Sequence, residues 1–276
     1  MQKNPVAMEG RLERCWLFAY RMPSAFADSL LPPGFSAVEF GGFGFMGIVV
    51  CEISGMRPAG MPRAAGLRYR HVGYRLHARF GGAGGDEEGV FFVRSDCDSG
   101  LIAAGGKWLT DFRFGAPCPV EIVDGGRQTL IRVESAEAAA EVQIDRSVRP
   151  ELGWGSPFAS LREAADFLRY KPAGIAPAAG GAANIVRIRR DESAWRQHLV
   201  AVRYARWRFL RRMPAEFEIA YEVDPIDYRW GRGEIVLPSG DCTCGEWGRA
   251  DSQGRRSSEV QCFSNQPPSS IDRDLD

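Results

Sequence analysis

The stretch that decides the fold runs from residue 67 to residue 96 and reads LRYRHVGYRLHARFGGAGGDEEGVFFVRSD. Its first part, Leu67–Phe80, alternates in character, so Tyr69 and His71 are expected on one face of a strand. A glycine-rich acidic segment follows, and Val90–Asp96 then returns as a second strand. The pattern predicts a long antiparallel hairpin whose turn is the glycine-rich segment.

Similar strand patterns recur on both sides of this hairpin. They are predicted at Arg14–Arg21, Phe43–Ile53, Val120–Val123, Thr129–Glu134, Ile185–Arg189, Leu199–Phe209 and Phe217–Val223. Two helices are predicted, Ala25–Leu31 and Ser160–Tyr170, the second opening with a capping box of Ser160 and Glu163. Many strands with few helices indicate a mainly β (α+β), antiparallel fold rather than a doubly wound nucleotide-binding fold.

The chain is expected to hold one folded domain. Its bounds are predicted at residues 14–240, after an N-terminal extension of residues 1–13. Residues 241–276 are rich in Ser, Gly, Gln, Arg and Asp and have almost no apolar periodicity. That composition predicts a disordered C-terminal tail.

Composition excludes several classes of protein. The 276 residues carry 35 basic and 35 acidic side chains, 25% charged and 45% hydrophobic residues overall. These values are typical of a globular domain and argue against a disordered chain, a collagen, a membrane partner or non-specific nucleic-acid binding. Only three basic residues are lysines, Lys3, Lys107 and Lys171. Lysine can form a Schiff base and arginine cannot, so any such chemistry is confined to these three positions.

The cysteines indicate thiols rather than disulfides or a metal site. There are seven, an odd number, at Cys15, Cys51, Cys97, Cys118, Cys242, Cys244 and Cys262. Their scattered spacing lacks C-x-x-C and lacks a histidine at ligand spacing. We therefore expect free thiols and neither a metal nor a cofactor. The N-terminus shows no secretory signal pattern, which favours a cytoplasmic location.

Two segments carry candidate functional chemistry. Residues 203–212, RYARWRFLRR, interleave arginines with aromatic residues, as nucleic-acid-binding surfaces do, although a strand with aromatics on its core face and arginines in solvent is the favoured interpretation. Residues 91–114, FFVRSDCDSGLIAAGGKWLTDFRF, place Lys107 next to a short apolar segment, Leu101–Ala104. A lysine in an apolar pocket has a lowered pKa and can attack carbonyls.

Several motifs resemble one known superfamily. They are Trp16–Gly34 ending in LLPPG, Tyr69-Arg-His71 with Phe92–Asp96 and Leu101–Lys107, FLRY at 167–170, Trp195 and YRW at 228–230. Across roughly Arg14 to Glu234 the chain is similar to the acetoacetate decarboxylase-like superfamily, and most to its YqjF-like branch, a domain of unknown function. The resemblance implies a conical, partly closed antiparallel β-barrel with a central cavity and a few outer helices.

The resemblance also implies where catalytic residues would lie. In the decarboxylases a lysine forms a Schiff base with a keto acid, and the corresponding position here falls on Arg113 or Phe114. The glutamate of their Tyr-x-Glu motif corresponds to His71. Lys107 falls near an arginine or glutamate of the family, so both catalytic positions depart from the pattern.

Three hypotheses follow, and the sequence leaves open whether the protein is an enzyme. The first is a protein that binds a small organic acid or carbonyl compound in a barrel cavity. Its expected site residues are Lys107 and His71 as catalytic groups and Arg94, Asp96 and Tyr69 as ligand-binding groups. The second is a Schiff-base decarboxylase, aldolase or dehydratase that uses Lys107. The third is a non-enzymatic interaction protein that uses residues 203–212. A homo-oligomer is compatible with all three.

Overall fold

A computed structural model describes residues 3–239, in which strands predominate. The strands are β1 Met8–Pro23, β2 Phe35–Ala37, β3 Phe43–Pro58, β4 Leu67–Gly82, β5 Gly85–Cys97, β6 Val120–Asp124, β7 Gln128–Val133, β8 Ala140–Asp145, β9 Ala173–Pro177, β10 Ala183–Arg190, β11 Gln197–Trp207, β12 Glu216–Val223 and β13 Ile226–Val236. The helices are α1 Ser24–Ser29, α2 Gly100–Leu109 and α3 Leu161–Phe167. The predicted tail, residues 241–276, lies outside the described residues.

Seven strands form a ring in the order β13-β10-β9-β5-β4-β3-β1, which closes where β1 pairs again with β13. β1 makes this closure possible because it changes partner along its length. Its first half, Met8–Leu12, pairs with β13, and its second half, Cys15–Arg21, pairs with β12. A second branch of sheet, β12-β11-β8-β7-β6, therefore leaves the ring at the middle of β1. The prediction of a mainly β, partly closed barrel with few helices is confirmed.

The ring has an apolar core on each of its two faces. One core lies on the inner face of the ring, and the other lies between its outer face and the second branch of sheet. In β1, Cys15 and Leu17 belong to the interior core, while Trp16 and Phe18 belong to the outer one. A strand buried on both faces needs apolar residues at successive positions, which explains the run CWLFAY at residues 15–20.

The central hairpin forms as predicted, with longer strands. β4 extends to Gly82 and β5 begins at Gly85, so the turn is only Ala83-Gly84. The acidic residues expected in the turn instead lie on β5, where Glu88 accepts a hydrogen bond from Arg79 at 2.7 Å. Gly85 adopts a φ of 118°, a backbone conformation that favours glycine.

Other elements differ from the sequence prediction. β1 starts at Met8, so residues 8–13 belong to the ring rather than to an extension. Asp227–Trp230, for which the sequence pattern predicts no strand, belong to β13. Where α2 forms, the sequence indicates only a short apolar segment. Among residues 3–239, no helix combines the length and the hydropathy needed to cross a lipid bilayer.

The predicted capping box is confirmed at atomic detail. The Ser160 hydroxyl accepts a hydrogen bond from the Glu163 amide at 3.2 Å, and a Glu163 carboxylate oxygen accepts one from the Ala159 amide. α3 nevertheless ends at Phe167, three residues earlier than predicted. α2 has a serine cap of its own, because the Ser99 hydroxyl accepts from the Ile102 amide at 3.4 Å.

Candidate functional site

The ring encloses a cavity of about 320 Å³ with a predominantly apolar wall. Ring strands supply most of the wall, which is completed by residues 4–6, α2, the segment 110–114 that follows it, and Tyr170. Its aromatic side chains are Phe92, Phe112, Phe114 and Trp230, in addition to three tyrosines. A concave, largely apolar site with a few polar groups is the usual form of a small-molecule pocket.

β4 supplies the ionisable side chains of this wall. Tyr69, His71 and Arg75 occupy alternate positions of the strand, and alternate residues of a strand share a face. Gly73 takes the inward position between them. A Cβ on it would lie 3.3 Å from His71 Cε1 and 3.6 Å from Arg75 Cδ, so a side chain there would crowd both groups.

Arg75 is a buried cation with no counter-charge among residues 3–239. Its side chain is 3% exposed, and its guanidinium lies 4.3 Å from the Tyr170 ring centroid and 5.8 Å from that of Phe92. Its Nε atom is buried without a hydrogen-bond partner, and within residues 3–239 no carboxylate forms an ion pair with it. Burying an unpaired charge costs several kcal/mol. The two ring contacts offset part of that cost, and an anion in the cavity would offset more.

His71 lies in the same wall as a neutral imidazole. Burial, and secondarily the charge of Arg75, lowers its pKa to about 3. Its ring centroid is 5.5 Å from that of Phe114, and its Nε2 atom has no hydrogen-bond partner among the described residues. The sequence predicts His71 as a catalytic group, and an ordinary histidine exchanges protons near neutral pH. In this buried position the imidazole is instead a hydrogen-bonding group that stays uncharged well below pH 7.

Three tyrosines complete the polar part of the wall. Burial raises the pKa of Tyr69, Tyr170 and Tyr228, so all three remain protonated at physiological pH. A neutral phenol can donate a hydrogen bond to a carboxylate or a carbonyl oxygen. Of the predicted ligand-binding residues, Tyr69 is therefore in the cavity wall.

Two thiols lie side by side at the cavity. Cys15 and Cys51 face each other across β1 and β3, with 3.3 Å between their sulfur atoms, and Cys51 contributes to the wall. The neighbouring thiol and burial raise the pKa of Cys51, which keeps it protonated. In the part of the chain that the structure describes, no group of three or more potential ligands could hold a metal ion.

Arg94 and Asp96 lie on the opposite face of the sheet from the cavity. They pair with each other at 2.7 Å, and Arg94 also bonds to Glu137. The reason is a β-bulge: Arg75 pairs with Phe92 but Tyr74 pairs with Arg94, so Val93 is an extra residue in β5. Without the bulge Arg94 would share the inward face of Phe92, as simple alternation predicts. With it, the carboxylate and guanidinium turn outward and neutralise each other.

Lys107 is exposed on α2 and is not among the residues that line the cavity. None of the three lysines of the chain contributes to that wall. Lys3 donates a hydrogen bond to the Trp108 carbonyl at 2.8 Å, and Lys171 lies 5.2 Å from the Phe167 ring centroid. The sequence predicted that Lys107 lies in an apolar pocket, but its side chain is exposed to solvent instead.

In the basic-aromatic segment 203–212, Trp207 is buried, whereas the Tyr204 hydroxyl donates to Glu141 and Arg206 lies over the Tyr204 ring. Trp207 is 4% exposed and donates to the Tyr20 hydroxyl at 2.7 Å. Arg203 donates to the buried carboxylate of Asp145 at 2.6 Å. The burial of Trp207 and the ion pair of Arg203 match a strand that packs an aromatic residue into the core, the second of the two interpretations of this segment.

The sequence missed Arg75 as a site residue, although a usable signal was present. Counting in twos from Tyr69 and His71 reaches Gly73 and then Arg75 on the same face. Arginine is rarely fully buried, so composition offered no reason to place this one inside the ring.

Comparison with solved structures identifies the fold. An acetoacetate decarboxylase-like enzyme from Sphingomonas wittichii RW1 is 13% identical, with a TM-score of 0.56 over 86% of this chain and 94% of its own. The acetoacetate decarboxylase of Legionella pneumophila is 11% identical, with a TM-score of 0.56 over 84% and 88%. The enduracididine biosynthesis enzyme MppR, in complex with pyruvate, is 11% identical, with a TM-score of 0.53 over 85% and 91%.

The sequence itself is matched at the level of a family. Among curated proteins, none matches the chain. Residues 10–177 match the model of the DUF2071 family, which is described as an uncharacterized conserved protein. This match covers more than half of the chain, and the predicted placement in a branch of unknown function is confirmed. The chain thus belongs to the DUF2071 family and has the fold of the acetoacetate decarboxylase-like superfamily.

Proposed function

We propose that the protein binds a small monocarboxylic acid with an apolar body in the ring cavity and that Arg75 holds the carboxylate. The observation that carries the proposal is the buried guanidinium of Arg75, which borders an apolar cavity and has no ion-pair partner among residues 3–239. A guanidinium matches a carboxylate through two parallel hydrogen bonds. One unpaired cation favours one negative charge on the ligand.

The rest of the wall supports the nature of the ligand body. Its apolar part, which includes Val49 and Ile53 besides the aromatic rings, favours an aliphatic or aromatic group over a second charge. The neutral His71 and the protonated Tyr69 offer hydrogen bonds to a further oxygen, such as a keto or hydroxyl group. A solved structure of MppR contains pyruvate, which shows that a protein of this fold holds a keto acid.

The proposal contains no Schiff-base step, because no lysine lines the cavity. Binding, or a reaction that uses the imidazole and phenol groups without an imine, is the chemistry that this wall supports. The second hypothesis, with Lys107 as nucleophile, gains no support from the exposed position of that side chain.

Titration calorimetry with pyruvate, hexanoate and the uncharged hexanamide tests the proposal. We expect hexanoate to bind more tightly than pyruvate because it fills more of the apolar wall, and hexanamide to bind at least tenfold more weakly than hexanoate. Arg75→Gln should weaken hexanoate binding by about tenfold or more.

The matched control is Arg94→Gln, which makes the same chemical change on the outer face of the sheet. It should leave hexanoate binding unchanged. Equal losses in both variants, or a loss only in Arg94→Gln, would refute the assignment of the carboxylate to Arg75. Circular dichroism of each variant checks that the comparison is made between folded proteins.

A further inference from the structure

A second pocket lies on the outer face of the ring, where β3, β1, β13 and β10 run side by side. Its volume is about 540 Å³, larger than that of the interior cavity. The second branch of sheet does not cover this region, because β1 pairs with β13 rather than β12 over Met8–Leu12. The charged side chains that line it are Glu9, Glu13, Asp227, Arg11, Arg57, Arg63, Arg189 and Arg229.

Three of the five arginines already have carboxylate partners. Arg57 donates to Glu9 at 2.6 Å and to two backbone carbonyls. Arg11 and Arg63 both bond to Asp227, at 3.3 and 3.2 Å. The remaining carboxylate, Glu13, lies 3.5 Å from Arg11 and also accepts a hydrogen bond from the Ser54 hydroxyl, so all three carboxylates of the pocket have an arginine partner.

The other two arginines are left as adjacent positive charges. Arg189 on β10 and Arg229 on β13 are directly opposite in the antiparallel register, and both are exposed. Within the described part of the chain neither guanidinium has a hydrogen bond, an ion pair or a ring contact. Like charges directly opposite on neighbouring strands destabilise a sheet, so an anion between them would be stabilising.

We propose that this pocket binds a phosphate group between Arg189 and Arg229. Each guanidinium presents a planar fork of N–H donors that fits two oxygens of one phosphate, and two forks side by side suit its double negative charge. Arg63 lies in the same pocket and can approach a larger phosphorylated molecule. The site is separate from the carboxylate site of the cavity, since it lies on the other side of the sheet and uses different arginines.

Calorimetric titration of the full chain with inorganic phosphate, pyrophosphate and acetate tests this site. We expect phosphate to bind more tightly than acetate, pyrophosphate to bind at least as tightly as phosphate, and both affinities to fall as sodium chloride is raised. The double variant Arg189→Gln/Arg229→Gln should weaken phosphate binding by about tenfold or more. Acetate binding as tight as phosphate binding would contradict the assignment.

The control is Arg211→Gln/Arg212→Gln, which replaces two exposed arginines outside the pocket and changes the net charge in the same way as the double variant. It should leave phosphate binding unchanged. Equal binding by the control and the double variant, or no binding by the wild-type protein, would overturn the proposal.

Two further readouts distinguish phosphate binding at this site from misfolding of the variant and from binding in the cavity. In phosphate-free buffer the double variant should melt at the same temperature as the wild type or higher, since it removes a repulsion. Phosphate should raise the Tm of the wild type by mass action and leave that of the double variant unchanged. Arg75→Gln should still bind phosphate, whereas the double variant should still bind hexanoate, so the two sites can fail independently.

Discussion

Two buried histidines are held in their neutral form. Burial lowers the pKa of both His71 and His77 to about 3, with the neighbouring positive charge of Arg75 or Lys171 as the next cause. His77 is 3% exposed, and its Nδ1 atom has no partner in the described residues. Both imidazoles would have to lose their buried surroundings before they could take up a proton.

Stability should therefore fall as the solution is acidified below about pH 6.5. An unfolded histidine has a pKa near 6.5 and binds a proton between that pH and about 3, whereas the folded ones do not. From pH 7.5 to 5.0 each should cost about 2 kcal/mol of unfolding free energy. Urea unfolding at these two pH values measures the difference in unfolding free energy. His77→Gln should reduce the pH dependence, whereas identical stability at both pH values would contradict the prediction.

Among single residues, Lys107 should form no trapped adduct with pyruvate. Its side chain is exposed on α2, so no apolar wall excludes water from an imine at that amine. The test is reduction with borohydride in the presence of pyruvate, followed by intact mass and peptide mapping. A stoichiometric adduct on Lys107 would restore the Schiff-base hypothesis.

Among the helices, α2 packs closely against Phe114 through one of its glycines, Gly106. A Cβ on Gly106 would lie 2.3 Å from a ring carbon of Phe114, a side chain of the cavity wall. At Gly105, one residue earlier in the same helix, a Cβ would meet nothing within 4 Å. The close approach of α2 to the cavity wall thus requires a glycine at position 106 and does not require one at position 105.

Gly106→Ala should destabilise the protein by about 1–3 kcal/mol, because the methyl group must displace α2 or Phe114. Gly105→Ala, the matched control, should leave stability unchanged or raise it by up to about 1 kcal/mol, since alanine favours a helix. Chemical denaturation of both variants gives the comparison. Equal effects would show that α2 does not pack as closely as the structure indicates.

Elements with strong local signals were predictable, and α2 was not. The capping residues Ser160 and Glu163 define the start of α3 whatever surrounds it, because their hydrogen bonds are local. α2 contains Gly100, Gly105 and Gly106, which lower its intrinsic helix propensity. Packing against the ring stabilises it, and local sequence does not report such packing.

Across the molecule as a whole, β1 joins the two parts of the sheet. It pairs with β3 along most of its length and with β13 and β12 in turn, whereas β6 lies at the edge of the second branch. An ion pair at the end of β1 reinforces this junction, since the buried Arg21 donates to the fully buried Glu218 of β12 at 2.6 Å.

Hydrogen exchange should follow this arrangement. Amides of β1 and β3 should be the last to exchange, because they open only when ring and branch separate, and those of β6 should be among the first. Exchange followed by mass spectrometry at peptide resolution measures the order. Exchange of β1 as fast as that of β6 would show that the junction does not hold the sheet together.

Local patterns in the amino-acid sequence were enough to define most strands, the hairpins and the family. Alternation over Leu67–Phe80, the glycine-rich turn and the capping box are local patterns, and the motifs around His71 and Lys107 were sufficient to indicate the superfamily. Tyr69 and His71 were also placed on one face correctly, since no irregularity separates them along β4.

Which polar groups face the cavity depends instead on contacts between distant parts of the chain. Closure of the ring through β1 and β13 pairs residues more than 200 positions apart, which no local pattern reports. The bulge at Val93 shifts β5 by one residue, and because side chains alternate with a period of two, that shift turns Arg94 and Asp96 outward. Arg75 faces the interior because β4 has no extra residue between His71 and Arg75, so the two share a face. Closure of the ring makes that face the cavity wall.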